Sequence, residues 1–205
     1  MSALTLPIPQ APRPWVLPDR GKVGMAALII AESAIFTIFV VAYLFYIGKS
    51  ATGPIPSQVL EVPVFYTICL LSSSITMHFS AKSLERGRHA PFLGLWSLTV
   101  VLGGLFLFGT ANEWRRLIYE HGLTVSTNLF GTTYYSLVGL HAFHVVVGLF
   151  MLLMVLIFSL TGRVGEGDSG RVGVLAMYWH FVDAVWIILF SVLYLLSVIL
   201  LATGS

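Results

Sequence analysis

Five long apolar stretches, separated by short segments rich in glycine, proline and charge, dominate the pattern of this chain. A helix needs about 20 apolar residues to cross the hydrocarbon layer of a membrane, and each of the five stretches reaches that length. The pattern therefore predicts an all-α integral membrane bundle of five transmembrane helices. The predicted spans run from Lys22 to Gly48, Val62 to Leu84, Phe92 to Arg115, Leu129 to Leu160 and Val172 to Ala202.

The segments between the spans are short and carry helix breakers. Three of them are Gly53 to Pro56, Gly87 to Pro91 and Gly162 to Gly170. Because none has room for a soluble domain, we expect residues 22–205 to form a single five-helix transmembrane domain that acts within the membrane or through partners. Residues 1–21 are predicted to be an extramembrane segment, and their prolines and lack of a continuous apolar run do not indicate a secretory signal peptide.

Composition supports a membrane protein and argues against several other classes. Hydrophobic residues make up 57% of the 205 residues and charged residues only 10%, whereas average proteins contain about 25% charged residues. The formal net charge of +2 comes without a long basic or acidic run, so nucleic acid is not expected as a partner. The single cysteine, Cys69, cannot form an internal disulfide or a multi-thiolate metal site.

The distribution of basic residues predicts the orientation of the bundle, because cytoplasmic loops carry an excess of lysine and arginine. The side of the N-terminus has Arg13, Arg20, Lys22, Lys82, Arg86, Arg88, Arg163 and Arg171. The other side has Lys49, Arg115 and Arg116. This asymmetry predicts a cytoplasmic N-terminus and an outside C-terminus. The tryptophans fall mostly toward span ends, where an interfacial aromatic belt is expected.

Seven polar residues inside the spans are candidates for function, because an ionisable side chain at the bilayer centre costs several kcal/mol unless it has a partner or a purpose. They are Glu32, His78, Glu113, His141, His144, His180 and Asp183. Glu32 lies about 15 Å along the first span at 1.5 Å per residue, near the middle of the membrane. For Glu32, a hydrogen-bonded structural role and a direct part in proton chemistry are both open.

Two pairs in this set are three residues apart and therefore share a helical face: His141 with His144, and His180 with Asp183. Each pair could supply metal ligands or form a buried hydrogen-bonded group, and the spacing favours the hydrogen-bonded interpretation. Two of the six histidines, His89 and His121, fall in loops, which leaves few for a metal or haem site.

Small and hydroxyl-bearing residues within the spans predict close helix packing. Glycines recur in the third and fourth spans, including Gly103 and Gly148, where they allow neighbouring helices to approach. The hydroxyl groups of the second span are expected to donate hydrogen bonds between helices rather than to act as nucleophiles. These residues are Ser72, Ser73, Ser74 and Thr76.

At these residues the chain resembles the haem-copper oxidase subunit III family, over about Gly24 to Leu196. One specific segment is the run YWHFVDAVW from Tyr178 to Trp186, which resembles the last-span signature of that family. The other is the run GLHAFHVVVG from Gly139 to Gly148, preceded by two tyrosines. Weaker support comes from Glu32-Ser33 with nearby phenylalanines and from Asn112-Glu113-Trp114.

Two features depart from the long members of that family. Those members have seven spans, whereas this chain resembles the short five-helix bacterial type and begins at what corresponds to their third span. A histidine pair common near the end of the matching second span is replaced by Ala81-Lys82, and His78 lies one turn earlier. Any role of the missing pair is therefore not expected here.

The resemblance implies a non-catalytic subunit III of a proton-pumping terminal respiratory oxidase that takes electrons from cytochrome c and reduces oxygen. It would stabilise the catalytic subunit, bind phospholipid and support proton uptake. No residue of this chain is expected to be catalytic or to bind a metal, and haem and copper are expected in partner subunits. The partners implied are catalytic subunit I, subunit II, a small subunit IV as a further candidate, and membrane lipids, in the bacterial inner (plasma) membrane.

The resemblance also suggests roles for individual residues. Glu32 matches the buried, carbodiimide-reactive carboxyl of the family. Arg163 and Arg171, predicted on the cytoplasmic side, either contact lipid headgroups or serve only to set the topology. Structural roles are implied for the remaining motif residues, which are Glu113, His141, His144, His180 and Asp183.

Other functions stay open at this stage. The chain could serve a quinol oxidase or a nitric-oxide-reductase-associated complex, because the electron donor docks on other subunits. From a different class, a small proton-coupled transporter would use Glu32, Glu113 and Asp183 as a relay. An independent membrane haem enzyme is disfavoured by the small number of suitably placed histidines.

Overall fold

The computed structural model describes residues 19–50, 53–55 and 59–196. Five long helices account for most of this part of the chain, and all five are long and apolar enough to cross a membrane. The prediction of an all-α chain with five such helices is confirmed. The helices are α1 (Arg20–Tyr46), α2 (Val64–Glu85), α3 (His89–Tyr119), α4 (Leu129–Leu160) and α5 (Ser169–Phe190).

Helix α3 is longer at both ends than the span predicted from Phe92 to Arg115. Its first turn contains Pro91, the residue that suggested a break in the sequence. A proline is tolerated in the first turn of a helix, because the backbone N–H that it lacks would have no intrahelical partner there.

Helix α5 begins before the predicted Val172 and continues beyond Phe190 as a π-helical turn at Ser191–Leu195. A short 3₁₀ turn at Glu166–Asp168 leads into it. The predicted end of the last span, Ala202, lies outside the described residues, as does most of the predicted extramembrane segment 1–21. At the start of the described part, Asp19 caps α1 by accepting a 2.7 Å hydrogen bond from the Gly21 backbone N–H.

Loop contacts join the helix ends on the side opposite to the start of α1. Asn128 caps α4, because its side-chain oxygen accepts a 2.8 Å hydrogen bond from the Gly131 N–H. The Asn128 amide also donates to the Pro54 carbonyl at 3.0 Å, and the Phe130 N–H donates to the Ser50 hydroxyl at 3.1 Å. These bonds tie the segment that follows α1 to the start of α4.

Three tryptophans lie in the core, so the expectation of an interfacial belt is wrong for them. Trp96, Trp179 and Trp186 are each at most 2% exposed. Each indole N–H donates to a neighbouring helix: Trp96 to the Leu152 carbonyl at 2.9 Å, Trp179 to Ser73 Oγ at 2.9 Å, and Trp186 to Thr67 Oγ1 at 3.1 Å. A buried indole is stable when its N–H has such an acceptor.

Three hydroxyl groups of α2 make hydrogen bonds to neighbouring helices, although Ser73 accepts such a bond where the sequence predicts a donor. Ser73 receives the Trp179 indole N–H, Ser74 Oγ lies 2.7 Å from His180 Nδ1, and Thr76 Oγ1 lies 2.7 Å from Thr99 Oγ1. These contacts link α2 to α5 and α3. They replace the hydrogen bonds that water would provide in a soluble protein.

Glycine allows the Trp179 ring to lie between α3 and α4. A Cβ atom added at Gly103 would lie 2.8 Å from the Trp179 ring and 2.9 Å from Leu149, and one added at Gly148 would lie 2.9 Å from the same ring. The next residue on α3, Gly104, faces outward and would meet nothing within 4 Å. The prediction of close packing at glycine is therefore correct at some of these positions but not at all of them.

These two neighbours give a direct test of the packing. Alanine has a higher helix propensity than glycine by about 0.8–1 kcal/mol, so Gly104→Ala should leave the thermal stability of the detergent-solubilised protein unchanged or raised. Gly103→Ala should lower that stability by about 1–3 kcal/mol, because the rigid indole cannot move away without repacking. Equal shifts in melting temperature for the two variants would contradict the packing described for Trp179.

Candidate functional site

Glu32 and His144 form a polar pair between α1 and α4, about midway along both helices. Glu32 Oε2 lies 3.2 Å from His144 Nε2. The two residues are 112 positions apart in the chain, and His144 lies near the centre of the 32-residue α4. The sequence predicted both residues as candidates but not their pairing.

The hydrogen bond made by His144 Nδ1 determines how many protons the Glu32–His144 contact needs. His144 Nδ1 lies 2.8 Å from the Leu140 carbonyl oxygen. A carbonyl can only accept, so Nδ1 carries a hydrogen. The contact between Nε2 and Oε2 then needs one further proton, which is held either by the carboxyl or by the imidazole. In both arrangements the pair is neutral as a whole, which makes its position within the membrane tolerable.

The surroundings hold the imidazole in place while leaving the carboxyl accessible. The Phe36 ring lies 5.0 Å from the His144 ring, and the Tyr178 hydroxyl donates to the His144 backbone carbonyl at 3.2 Å. The His144 side chain is 7% exposed, whereas the Glu32 side chain is 23% exposed. The carboxyl side of the pair therefore faces the bundle surface.

An apolar cleft of about 270 Å³ opens next to this pair, between α1 and α5. Ser33 and Phe36 line it from α1, and Phe181 and Ala184 line it from α5. The position of Ser33 and Phe36, directly after and one turn beyond Glu32, places the cleft close to the carboxyl. A lipid chain or a partner helix would have access to the pair from this side.

His141 has surroundings that differ completely from those of His144, although it lies one turn away on the same helix. It is fully buried, stacked on the Trp186 ring at 5.0 Å, with the Phe106 ring at 5.7 Å. Neither ring nitrogen has a hydrogen-bond partner among the described residues. His141 therefore serves as an aromatic core residue.

The second predicted pair, His180 and Asp183 of α5, lies against α2 beside Ser74. His180 Nδ1 lies 2.7 Å from Ser74 Oγ. Asp183 is 3% exposed, and neither carboxyl oxygen makes a hydrogen bond of standard geometry within the described ranges, although the Ser74 hydroxyl lies beside it. His78 and His180 line a shallow cleft of about 330 Å³ on the outer surface of these two helices.

Glu113 lies in the last two turns of α3, at the end of the bundle opposite to the start of α1. Its Oε1 accepts a 3.0 Å hydrogen bond from the hydroxyl of Tyr194, which belongs to the π-helical turn after α5. Nothing in the sequence spacing, which separates the two residues by 81 positions, indicated this contact.

Arg163 and Arg171 line one cleft of about 380 Å³ at the end of the bundle where α1 begins. Apolar residues of α4 and α5, including Val155 and Leu175, form the rest of its lining. Arg171 also pairs with Asp168 at 2.8 Å, three residues earlier. The cleft thus combines two guanidinium groups with an apolar wall.

The predicted polar residues therefore occupy separate places rather than one centre. Within residues 19–50, 53–55 and 59–196, no three histidine, cysteine, aspartate or glutamate side chains are grouped so that they could hold a metal ion. The structure adds Tyr178 and Tyr194 as partners that sequence reasoning missed, and it shows that Ser74, predicted to bond between helices, has His180 as its partner. The only signal for the two tyrosines was that a buried carboxyl or imidazole needs a hydrogen-bonding neighbour.

Comparison with known proteins gives a consistent family. The model of the cytochrome c oxidase subunit III family matches residues 18–198. Cytochrome c oxidase subunit 3 of Synechocystis is 37% identical over 183 residues, which cover 87% of this chain and 77% of that protein. The same subunit of Alkalihalophilus pseudofirmus is 30% identical over 195 residues, and that of Bacillus subtilis is 27% identical over 197 residues; each match covers 93% of this chain and 94% of the relative.

The contrast between the two histidines of α4 can be tested with one substitution type. His144→Leu should lower thermal stability by about 1–3 kcal/mol, because it leaves the Glu32 carboxyl without its partner inside the membrane. His141→Leu removes two unpaired nitrogens, which offsets the loss of about 0.5–1.5 kcal/mol of aromatic stacking, so its net effect should be small. A larger loss of stability in His141→Leu than in His144→Leu would overturn these assignments.

Proposed function

This chain belongs to the cytochrome c oxidase subunit III family, and from that membership we propose that it supports proton uptake by the oxidase and binds phospholipid while stabilising the catalytic subunit. As subunit III it is part of an oxidoreductase complex. The haem and copper of the reaction are expected in the partner subunits. The role of this chain is then to support proton transfer, to bind phospholipid and to stabilise the neighbouring subunit.

The Glu32–His144 pair is the observation that carries the proton-uptake proposal. The pair binds one exchangeable proton between Oε2 and Nε2, and moving that proton from one atom to the other leaves the pair neutral. Net uptake or release of a proton would leave the pair charged, so the pair can pass protons at low electrostatic cost only if each proton that leaves is replaced by another from a neighbour. The exposed side of Glu32 offers a path for that exchange.

The exposed apolar surface of α1 supports the proposal that this chain contacts the catalytic subunit. Only Phe36 and Tyr43 are buried among its 27 residues, while Ile30 and Ile38 are 71% and 67% exposed. An apolar face of this kind is covered in the membrane by lipid or by a neighbouring subunit. We expect subunit I, with subunit II and a small subunit IV as further partners, to lie against the bundle.

The cleft with Arg163 and Arg171 supports the proposal of a lipid site. Guanidinium groups bind phosphate through two parallel hydrogen bonds, and the apolar wall of the same cleft suits acyl chains. The basic side of the bundle is expected to face the cytoplasm of a bacterial cell, with the protein in the inner membrane. An anionic phospholipid of the cytoplasmic leaflet fits this site.

The proton role can be tested with Glu32→Gln, which keeps the shape of the side chain and removes its exchangeable carboxyl proton. The initial oxidase rate should fall by less than about tenfold, which corresponds to ~1.4 kcal/mol, because Glu32 is not at the redox chemistry. Steady proton uptake during turnover should be slower, and activity should decay sooner. Both quantities are measured in purified complex with oxygen consumption and a pH-indicating dye.

Glu85→Gln is the matched control, since Glu85 is an exposed carboxylate at the end of α2. It should behave like the unmodified protein in both assays. An immediate loss of more than about tenfold in Glu32→Gln would mean that Glu32 lies much closer to the chemistry than proposed. Unchanged proton uptake and unchanged decay would remove the proton role and leave Glu32 with a structural one.

The lipid role can be tested by replacing both arginines. Arg163→Gln with Arg171→Gln should reduce the anionic phospholipid that co-purifies with the complex by about tenfold in occupancy, because charge-assisted hydrogen bonds are lost. Lys82→Gln removes a cation at the same end of the bundle that does not line the cleft, and should have no effect. Equal lipid content in all three preparations would show that the arginines only set the topology.

A further inference from the structure

A cleft of about 320 Å³ lies at the end of the bundle opposite to Arg163 and Arg171, between the start of α2 and the last turns of α3. Its apolar wall includes Val62, Val64 and Phe65, all of which are exposed. Its polar lining consists of Glu61, Asn112, Glu113 and Arg116. This site takes no part in the proton or lipid roles described above.

Charges of both signs meet in this cleft. The Arg116 guanidinium forms an ion pair with the Glu61 carboxylate. The Glu61 side chain is 78% exposed and the Arg116 side chain is 23% exposed, so the pair lies at the mouth of the cleft. Its hydrogen bond to Arg116 lowers the pKa of Glu61 below the ordinary value, which keeps Glu61 negatively charged.

The pair does not satisfy all of the Arg116 donors. Its Nε atom is buried and has no hydrogen-bond partner within the described part of the chain. A buried guanidinium N–H without an acceptor is costly, and an anionic oxygen is its best partner. Deeper in the cleft, the Glu113 carboxyl accepts a hydrogen bond from the Tyr194 hydroxyl.

We expect the cleft to lie at the boundary between lipid headgroups and hydrocarbon, because it is formed at the ends of two apolar helices. Arg116 is in the last turn of α3, which ends at Tyr119, and α2 begins at Val64. A molecule in this cleft would have its polar part among charged side chains and its apolar part against Val64 and Phe65. A phospholipid has this division, whereas a small soluble ligand does not.

We propose that this cleft binds the headgroup of a zwitterionic phospholipid with a primary ammonium group, of the phosphatidylethanolamine class. The lipid phosphate would bind the terminal guanidinium nitrogens of Arg116, and the ammonium would bind Glu61. One ion pair within the protein would thereby be exchanged for two with the lipid. An anionic headgroup would pair its phosphate with Arg116 but would bring no ammonium, so the Glu61 carboxylate would lose its cationic partner.

The primary ammonium distinguishes this headgroup from choline. An ammonium carries N–H donors for carboxylate and amide oxygens, and the cleft offers such acceptors at Glu61, Asn112 and Glu113. A trimethylated nitrogen has no donor, so it would leave these acceptors unpaired. The proposal therefore commits to ethanolamine over choline.

The test is native mass spectrometry of the intact oxidase complex, released from nanodiscs that contain equal amounts of ethanolamine, choline and glycerol phospholipids with identical acyl chains. The unmodified complex should retain the ethanolamine lipid preferentially. Arg116→Gln and Glu61→Gln should each lower its occupancy by about tenfold or more, because charge-assisted hydrogen bonds are lost. Arg115→Gln is the matched control, since this neighbouring arginine is exposed and does not line the cleft.

Three outcomes would overturn the proposal. They are equal retention of choline and ethanolamine lipids, preferential retention of the anionic lipid, and unchanged ethanolamine occupancy in Glu61→Gln. The last would show that the cleft is filled by a partner polypeptide or by solvent. Because Glu61 is at the surface, its substitution tests the site even if Arg116→Gln does not assemble. Proton uptake, which depends on Glu32, should be the same in all of these variants.

Discussion

The absence of water in the hydrocarbon layer is the constraint on which this structure depends, because a buried donor or acceptor can find a partner only inside the protein. Among the described residues, His141 and Asp183 are exceptions, since their buried side-chain atoms make no hydrogen bond of standard geometry. The indole N–H groups of Trp179 and Trp186 meet this constraint through hydroxyls of α2, and Trp96 meets it through a carbonyl of α4. These bonds join α5 to α2 and α3 to α4. The Glu32–His144 pair meets the same constraint on the exposed side of the bundle by sharing one proton.

The five helices could be predicted from the sequence, because span length and apolar content are local properties of each segment. The residues at which the helices begin and end could not be predicted from the same pattern. A proline such as Pro91 can follow the end of one helix or lie in the first turn of the next. The sequence pattern also could not show that Trp96, Trp179 and Trp186 lie in the core rather than at the membrane interface. An indole near a span end is equally suited to the headgroup region and to a core with a nearby hydroxyl, and only the neighbouring helix decides which applies.

The residues of the candidate site could be predicted, but their partners could not. Burial cost alone identifies Glu32 and His144, yet their contact depends on how α1 packs against α4. The same limit explains why His141 and His144 could not be told apart: one turn of helix separates an imidazole stacked on Trp186 from one bonded to a carboxyl. Membership of the subunit III family indicates that these contacts lie in a chain that functions within an oxidase complex.

The most direct test of the account is purification of this chain from its native membrane in mild detergent, with visible spectroscopy and identification of the co-purifying polypeptides. The account predicts haem absorbance together with a large multi-span catalytic subunit. The identity of the remaining partners would show whether the complex uses cytochrome c. A colourless chain purified without any partner would contradict the assignment to an oxidase complex and would favour a protein that acts alone in the membrane.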